Sequence, residues 1–167
     1  MKRKAAFVLL LSLIALATIM PLQQALADTA QDRLQVGNVF ELASVRGMAY
    51  EHTANRTTEA KVSLKLTVTD VNGSRVRFKI TSGEITLGDS VYVVTDGQGG
   101  ALLRKFGWAT LQGEAKFSNG QVFKFHLDGM LHLERAGLLL AGLTGGLGND
   151  TEQIRLRLLM RLSKGQQ

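Results

Sequence analysis

Two histidines and a methionine lie close together in the chain and are the residues best suited to bind a metal. His126, Met130 and His132 flank Asp128-Gly129, a pair of residues typical of turns. A three-residue turn there would bring both imidazoles and the thioether onto one outward face, a ligand set that suits copper. A two-residue turn would instead place the histidines on opposite faces. The alternative is an ordinary solvent-exposed strand face, because the spacing matches no established ligand pattern and Lys124 would repel a cation.

Basic residues alternate with apolar ones in two other segments and suggest a site for polyanions. The basic positions are Arg75, Arg77 and Lys79 in the first segment and Arg155, Arg157 and Arg161 in the second. If the two segments form neighbouring strands, these side chains make one basic patch that would attract anionic glycans or lipid headgroups. The alternative is two solvated strand faces whose charges discourage aggregation.

The sequence carries no catalytic motif. Gly-x-Ser-x-Gly and His-Glu-x-x-His are absent, and the carboxylates are spread one per predicted turn or strand. There is no cysteine, which excludes a thiol nucleophile, thiolate metal ligands and disulfides. Residues 96–100 are rich in glycine but lack the Lys-Ser/Thr ending of a phosphate loop, and we interpret them as a flexible turn. We therefore predict a protein that is not an enzyme and needs no cofactor.

The start of the chain has the three parts of a secretory signal peptide. A basic beginning (residues 2–4) precedes an apolar stretch (residues 5–20) and a small-x-small cleavage pattern that ends at Ala27. Cleavage there would make Asp28 the first residue of one mature extracytoplasmic domain, residues 28–167. This predicts a secreted protein associated with the cell surface. The alternative is an uncleaved N-terminal helix that anchors the protein in a membrane.

The charge of the mature chain argues against nucleic-acid binding. The whole chain has 20 Lys plus Arg and 14 Asp plus Glu. Removal of the signal takes away three basic residues and no acidic ones, which leaves 17 against 14, a formal charge of +3. The high isoelectric point of the whole chain is therefore partly a property of the signal, and a global basic surface for nucleic acid is not predicted.

Alternating apolar and polar residues predict three strands within residues 61–87. The apolar positions keep the same parity on both sides of Asn72-Gly73, which requires a loop of odd length, and a three-residue loop would place Val68 opposite Val76. The parity then changes, which predicts a two-residue turn at Ser82-Gly83.

A second segment, residues 108–133, repeats this three-strand plan. A three-residue turn at Ser118-Asn119-Gly120 would place Ala115 opposite Phe123 and Gly113 opposite Phe125, and Asp128-Gly129 would turn the chain again. The two similar meanders indicate either a duplication or the regularity common to β-meanders.

The remaining segments also favour strands. Residues 36–51 predict a long or bent strand with its bend at Gly47, although a helix over 39–50 is the alternative. Residues 91–94 predict a strand buried on both faces. Residues 136–148 predict a core strand followed by a glycine loop, or a flexible apolar flap at the surface. Residues 154–162 predict a last strand that pairs with an early one.

About ten short strands with polar turns predict an all-β antiparallel domain, either a β-sandwich or a closed β-barrel. A closed barrel of this size can hold one small ligand. The residues that would line it are Phe106, Trp108, Phe117, Phe123 and Phe125. The same side chains would equally fill a dry core.

Three asparagines are candidates for N-linked glycosylation. Asn55, Asn72 and Asn149 each begin an Asn-x-Ser/Thr sequence and fall in predicted loops or turns.

These features predict an exported, non-enzymatic β domain with a binding or structural role at or outside the cell surface. Its partner would be a surface protein or surface layer, an anionic glycan or membrane headgroups. The alternative is a small barrel that carries an apolar ligand. A third possibility is a metal-binding module that uses His126 and His132.

Overall fold

A computed structural model describes residues 34–104, 107–133 and 139–165. These ranges form eight antiparallel strands, each paired with the next along the chain, and the last strand pairs with the first. The domain is therefore a closed barrel rather than a sandwich, and the predicted number of about ten strands is too high for the part of the chain described. The predicted signal peptide, Asp28 and Phe106 lie outside the described residues.

The strands follow one another as a simple meander around the barrel. They are β1 (Val39–Glu51), β2 (Arg56–Asn72), β3 (Arg75–Leu87), β4 (Ser90–Leu103), β5 (Trp108–Phe117), β6 (Val122–Leu133), β7 (Leu139–Gly148) and β8 (Gln153–Lys164). We call the end that carries the turns after β1, β3, β5 and β7 the lower end. The upper end carries the connections after β2, β4 and β6, together with the start of β1 and the end of β8.

Apolar side chains point into the barrel and charged ones point out. In β8 the buried side chains are Ile154, Leu156, Leu158 and Met160, and arginines occupy positions between them. Among the residues that the structure describes, no polar or charged side chain is buried. Burial of one apolar face per strand favours closure of the sheet, since an open sheet of the same strands would expose that face.

The change of parity in β3 comes from a β-bulge and not from a turn. Lys65 pairs with Ser82 and the next residue of β2 pairs with Ile80, so Thr81 is the extra residue. The predicted turn at Ser82-Gly83 is wrong, and β3 runs through it without interruption. The Thr81 hydroxyl donates a hydrogen bond to the Lys65 carbonyl oxygen at 3.2 Å, which stabilises the irregular pairing.

A second bulge explains why the apolar positions keep the same parity across the turn between β2 and β3. Val68 pairs with Phe78 and Asp70 pairs with Arg77, which leaves Thr69 as the extra residue. The chain then turns through two residues, with Gly73 in the left-handed region at φ 55°. The predicted three-residue loop and the pairing of Val68 with Val76 are therefore wrong, although the need for one extra residue is correct.

The hairpin of β5 and β6 pairs as predicted near its turn, but the chain does not turn again at Asp128-Gly129 as predicted. Ala115 pairs with Phe123 and Gly113 with Phe125, as predicted. The predicted turn at Asp128-Gly129 is wrong, because both residues lie within β6 and pair with β5 and with β7.

The first strand is bent by a bulge, and the alternative of a helix is wrong. Along β8, Ser44 pairs with Met160 and Arg46 pairs with Leu159, so Val45 is the extra residue. Beyond this bulge Gly47 points into the barrel, where a Cβ atom would collide with the Ala60 carbonyl oxygen.

Glycine-rich segments that were expected to be loops belong to strands. Residues 96–100 lie within β4, and the expected glycine loop before residue 148 is the second half of β7. The run at residues 91–94 is not buried on both faces, because Val91 and Val93 are 56% and 46% exposed. The predicted pairing of the last strand with an early one is confirmed, since β8 pairs with β1 along most of its length.

No helix in the described ranges is long and apolar enough to cross a membrane.

Two glycines on neighbouring strands provide a test of the packing. A Cβ atom at Gly129 would collide with the Gly142 carbonyl oxygen, whereas a Cβ atom at Gly142 would meet no heavy atom within 4 Å. We expect Gly129→Ala to lower the free energy of unfolding by about 1–3 kcal/mol, the usual cost of overpacking. Gly142→Ala should raise it by about 0.5–1 kcal/mol, because glycine is disfavoured inside strands. Urea unfolding measures both, and equal effects of the two substitutions would contradict the described register.

Candidate functional site

The residues proposed as metal ligands are not brought together by the fold. His126 and Met130 both point outward from β6, and His132 lies six residues after His126 on the same strand. The backbone positions of His126 and His132 are therefore about 20 Å apart. The three-residue turn that would have joined the two histidines does not exist. Within the described ranges, no group of three or more His, Asp or Glu residues could hold a metal ion.

His126 instead belongs to a small polar network on the outer surface. Its Nε2 atom lies 3.1 Å from Asp128 Oδ2, and the Thr110 hydroxyl donates to Asp128 Oδ1 at 2.6 Å. The Thr110 hydrogen bond and the nearby His126 lower the pKa of the Asp128 carboxyl, although partial burial acts in the opposite direction. The sequence contained one signal of this network, because Asp128 is two residues from His126 and shares its face once the segment is a strand.

The network is not the arrangement of a nucleophile and its base. In such a pair the hydroxyl would contact the imidazole, which would accept its proton. Here the Thr110 hydroxyl donates to the carboxylate, and the carboxylate separates it from His126.

The hydroxyl of Thr110 should determine how Asp128 titrates. Thr110→Val removes that hydrogen bond, so the pKa of Asp128 should rise toward its ordinary value. Thr144→Val is the matched control, because the Thr144 hydroxyl donates to the Asp128 backbone carbonyl. Carbon-detected NMR titration of the carboxyl measures both. A lowered pKa stabilises the fold above the unfolded-state pKa, and this contribution is lost as the pH falls through the folded-state pKa. An Asp128 pKa unchanged in Thr110→Val would contradict the assignment.

The two predicted basic segments do not form one patch. β8 lies between β7 and β1, whereas β3 lies between β2 and β4. Two strands separate them on the shorter path, a distance of about 14 Å between strand axes. Lys79, moreover, forms an ion pair with Asp96 at 3.4 Å. Arg75 and Arg77 therefore lie on a different part of the surface from the basic residues of β8.

Across β7, Arg155 of β8 lies opposite His126 of β6, whereas Arg157 lies opposite Asp128. Between these strands lies β7, and its outward positions alternate with inward-pointing Leu143, Gly145 and Leu147. The outward positions are Gly142, Thr144, Gly146 and Gly148. Gly146 pairs with His126 on one side and with Arg155 on the other.

A groove of about 720 Å³ lies over the lower half of β7, and we call it the outer groove. Fourteen described residues line it. Seven are polar or charged, three are glycines and four are apolar: His52, Lys124, His126, Asn149, Asp150, Gln153 and Arg155; Gly145, Gly146 and Gly148; Val122, Phe125, Leu147 and Ile154. Sequence reasoning missed this site because the distance between β6 and β8 depends on the order of strands around the barrel.

The described residues enclose two cavities inside the barrel that are lined only by apolar side chains. The upper cavity has a volume of about 90 Å³ and the central cavity about 50 Å³. Five side chains line both of them: Leu42, Leu66, Phe78, Leu111 and Leu143. One layer of side chains therefore borders both spaces.

The predicted aromatic lining is only partly correct. Phe125 lines the central cavity, and Phe117 and Phe123 are buried below it. Trp108 is 49% exposed on the outer face, so its predicted interior position is wrong.

Aromatic packing closes the lower end of the interior. The ring of Phe117 makes edge-to-face contacts with Phe123 and Tyr92, with centroid distances of 5.1 and 5.5 Å. Burial raises the pKa of the Tyr92 hydroxyl, with smaller contributions from Glu152 and Glu51. The hydroxyl is therefore neutral at physiological pH and lies at the rim of a closed end.

The three predicted glycosylation sites lie at the two ends of the barrel. Asn55 is in the turn after β1 and accepts a hydrogen bond from the Tyr50 hydroxyl at 2.7 Å. Asn72 is the last residue of β2, at the upper end. The Asn149 side chain accepts hydrogen bonds from Thr151 and from the Glu152 backbone within the turn after β7. Glycosylation at these positions stays a prediction.

Comparison with known proteins does not assign the chain to a family. No protein-family model matches it, and a search of curated proteins finds no match. Its function is therefore inferred from the geometry of the barrel and the groove.

Proposed function

We propose that this protein is an exported, non-enzymatic binding protein whose barrel interior holds a small apolar ligand. One observation carries the proposal, namely that the closed barrel contains two cavities lined entirely by apolar side chains. A barrel of eight strands has an interior that is either filled by side chains or able to hold one small ligand. In this barrel the side chains leave the upper and central cavities unfilled.

The volumes limit the class of ligand. An apolar cavity of about 150 Å³ in a protein interior stays dry and binds molecules of the size of benzene. The upper and central cavities, about 90 and 50 Å³, would reach a similar size if the side chains between them changed rotamer. No polar side chain among the described residues lines either cavity. Thr58 Oγ1 is buried without a hydrogen-bond partner, but Thr58 is not among the residues that line them. The ligand would therefore insert an aromatic ring or a short hydrocarbon chain.

The ligand would enter from the upper end. The lower end is closed by the packing of Tyr92, Phe117 and Phe123. Near the upper end of the barrel, the upper cavity is lined by Leu34, Leu103, Leu131 and Leu162. These side chains are only partly buried, so their movement costs less than that of the core below them.

The export of the protein is supported by residues 1–27, whose basic start, apolar stretch and cleavage pattern match a secretory signal. The broader form of the proposal is a binding or structural role at or outside the cell surface, with a surface protein, surface layer or glycan as partner.

Native mass spectrometry of the protein purified from its own source tests both parts of the proposal. We expect the mass of a chain that begins at Asp28, together with a small hydrophobic molecule that unfolding releases. Mass that remains on the unfolded chain would report glycans at the predicted asparagines. A chain that begins at Met1 would contradict cleavage, and a polypeptide without any released molecule would contradict the ligand.

Filling the upper cavity should block binding without harm to the fold. Ala109 is buried and lines this cavity, whereas Ala49 is buried but lines neither cavity. Ala109→Leu should weaken the binding of benzene, used as a probe, by about tenfold or more. Its free energy of unfolding should change by less than about 1 kcal/mol, since the added methyl groups enter existing space.

Ala49→Leu is the matched control for this substitution. It should lower the free energy of unfolding by about 1–3 kcal/mol and leave benzene binding unchanged. NMR titration and urea unfolding measure the two quantities. Equal benzene affinity in the Ala109→Leu and unmodified proteins would reject the upper cavity as the binding site.

A further inference from the structure

Two of the three outward glycines of β7, Gly142 and Gly146, are not explained by packing, whereas a Cβ atom at Gly148 would collide with the Glu152 carbonyl oxygen. At Gly142 a Cβ atom would meet no heavy atom within 4 Å, and at Gly146 the nearest would be the Ile154 carbonyl oxygen at 3.9 Å. Neither residue has a positive φ angle. Gly145 differs, because it points inward and its Cβ atom would collide with the His126 carbonyl oxygen. Glycine weakens a strand, and where the fold does not require it, it often marks the close approach of a ligand.

Basic side chains lie on both sides of the outer face of β7 around Gly146 and Gly148. Lys124 pairs with Gly148 from β6, and Arg155 pairs with Gly146 from β8, so the two residues flank β7 at a backbone separation of about 12 Å. Within the part of the chain that the structure describes, neither side chain forms an ion pair. Their charges are therefore available to a ligand.

Other groups around the outer groove modify this charge. His52 and His126 add two imidazoles, and His126 contacts Asp128 just beyond the groove. Among the described lining residues, the one carboxylate is Asp150, in the turn after β7. Lys124 also lies across from Glu114, which accepts a hydrogen bond from the Gln98 side chain. The positive charges still outnumber the negative ones within the groove, so an anionic occupant is favoured.

The size and shape of the groove favour an anionic chain over a single inorganic ion or a flat bilayer surface. Its volume of about 720 Å³ is in the range of sites for organic ligands and far exceeds that of a single inorganic ion. Its concave floor between two walls suits a chain better than the flat surface of a bilayer.

The usual modes of peptide recognition do not fit this site. A peptide strand adds to a free sheet edge, but β7 is paired on both sides by β6 and β8. A helical peptide needs an apolar groove, whereas only four of the fourteen lining residues here are apolar and the walls carry Lys124, Gln153 and Arg155. Charged groups together with an amide side chain are suited to carboxylates and hydroxyls.

We propose that the outer groove binds an acidic oligosaccharide, whose carboxylates contact Lys124 and Arg155 while its sugar rings lie over Gly146 and Gly148. The site is separate from the apolar interior, because the groove lies on the outside of the sheet. It would let the barrel attach to an acidic polysaccharide whether or not a ligand occupies the interior.

Isothermal titration calorimetry of the mature chain with an oligogalacturonate tests this proposal at physiological ionic strength. Lys124→Gln combined with Arg155→Gln should weaken binding by about tenfold or more. Arg75→Gln combined with Arg77→Gln is the matched control, because it removes the same charge from β3 on a different part of the surface. We expect the control to change the affinity by less than about twofold.

A second pair of variants tests the floor of the groove without a change in charge. Gly146→Phe would fill the space between His126 and Arg155 and should also weaken binding by about tenfold or more. Gly142→Phe places the same side chain on β7 outside the residues that line the groove, and should leave binding unchanged. Circular dichroism and urea unfolding confirm that each variant retains the barrel.

Three outcomes would overturn the proposal. Equal losses in the β3 control would show that binding follows net charge alone. Absence of binding to the unmodified chain would exclude an acidic glycan. Tighter binding of poly-glutamate or of phosphatidylglycerol vesicles, with the same dependence on Lys124 and Arg155, would identify an acidic peptide or a lipid surface as the occupant instead.

Discussion

Hydrogen bonding between β1 and β8 is the interaction on which the rest of this structure depends. It gives each of the described strands two paired neighbours, so their backbone donors and acceptors are used within the barrel. It also turns one face of every strand inward, where apolar side chains pack without contact with water. The chain has no cysteine, so its stability comes from this closure and the apolar core rather than from disulfides.

The sequence predicted the faces of the strands more accurately than their number. Alternation identified the inward residues of β8 and the pairing of Ala115 with Phe123. The parity change near Thr81 and the extra residue needed before Asn72-Gly73 were both attributed to turns. They come from bulges at Thr81 and Thr69, which shift the alternation by one residue in the same way. Glycines contributed to the same error. In the sequence, a glycine that a strand needs for close backbone contact cannot be told from a glycine that a turn needs.

The binding sites were less accessible to prediction, for two different reasons. The outer groove depends on the order of the strands, which places Lys124 and Arg155 on either side of β7 although they are thirty-one residues apart in the chain. The interior cavities depend on how well the side chains fill the barrel, and alternation carries no information about volume. The candidate metal ligands were not brought together for the opposite reason, since His126 and His132 are close in the chain but lie six residues apart along one strand.

Closure by the first and last strands also affects how the barrel can form. Phe40 pairs with Lys164 and Glu51 with Ile154, so each of these contacts joins residues more than one hundred positions apart. Such a high contact order slows folding. Until β8 is available, β1 and β7 present free edges that can pair with other chains and lead to aggregation. Assembly of the barrel is therefore a late event that needs the whole sequence of strands, and a chain shortened within β8 loses the seam and not merely its last residues.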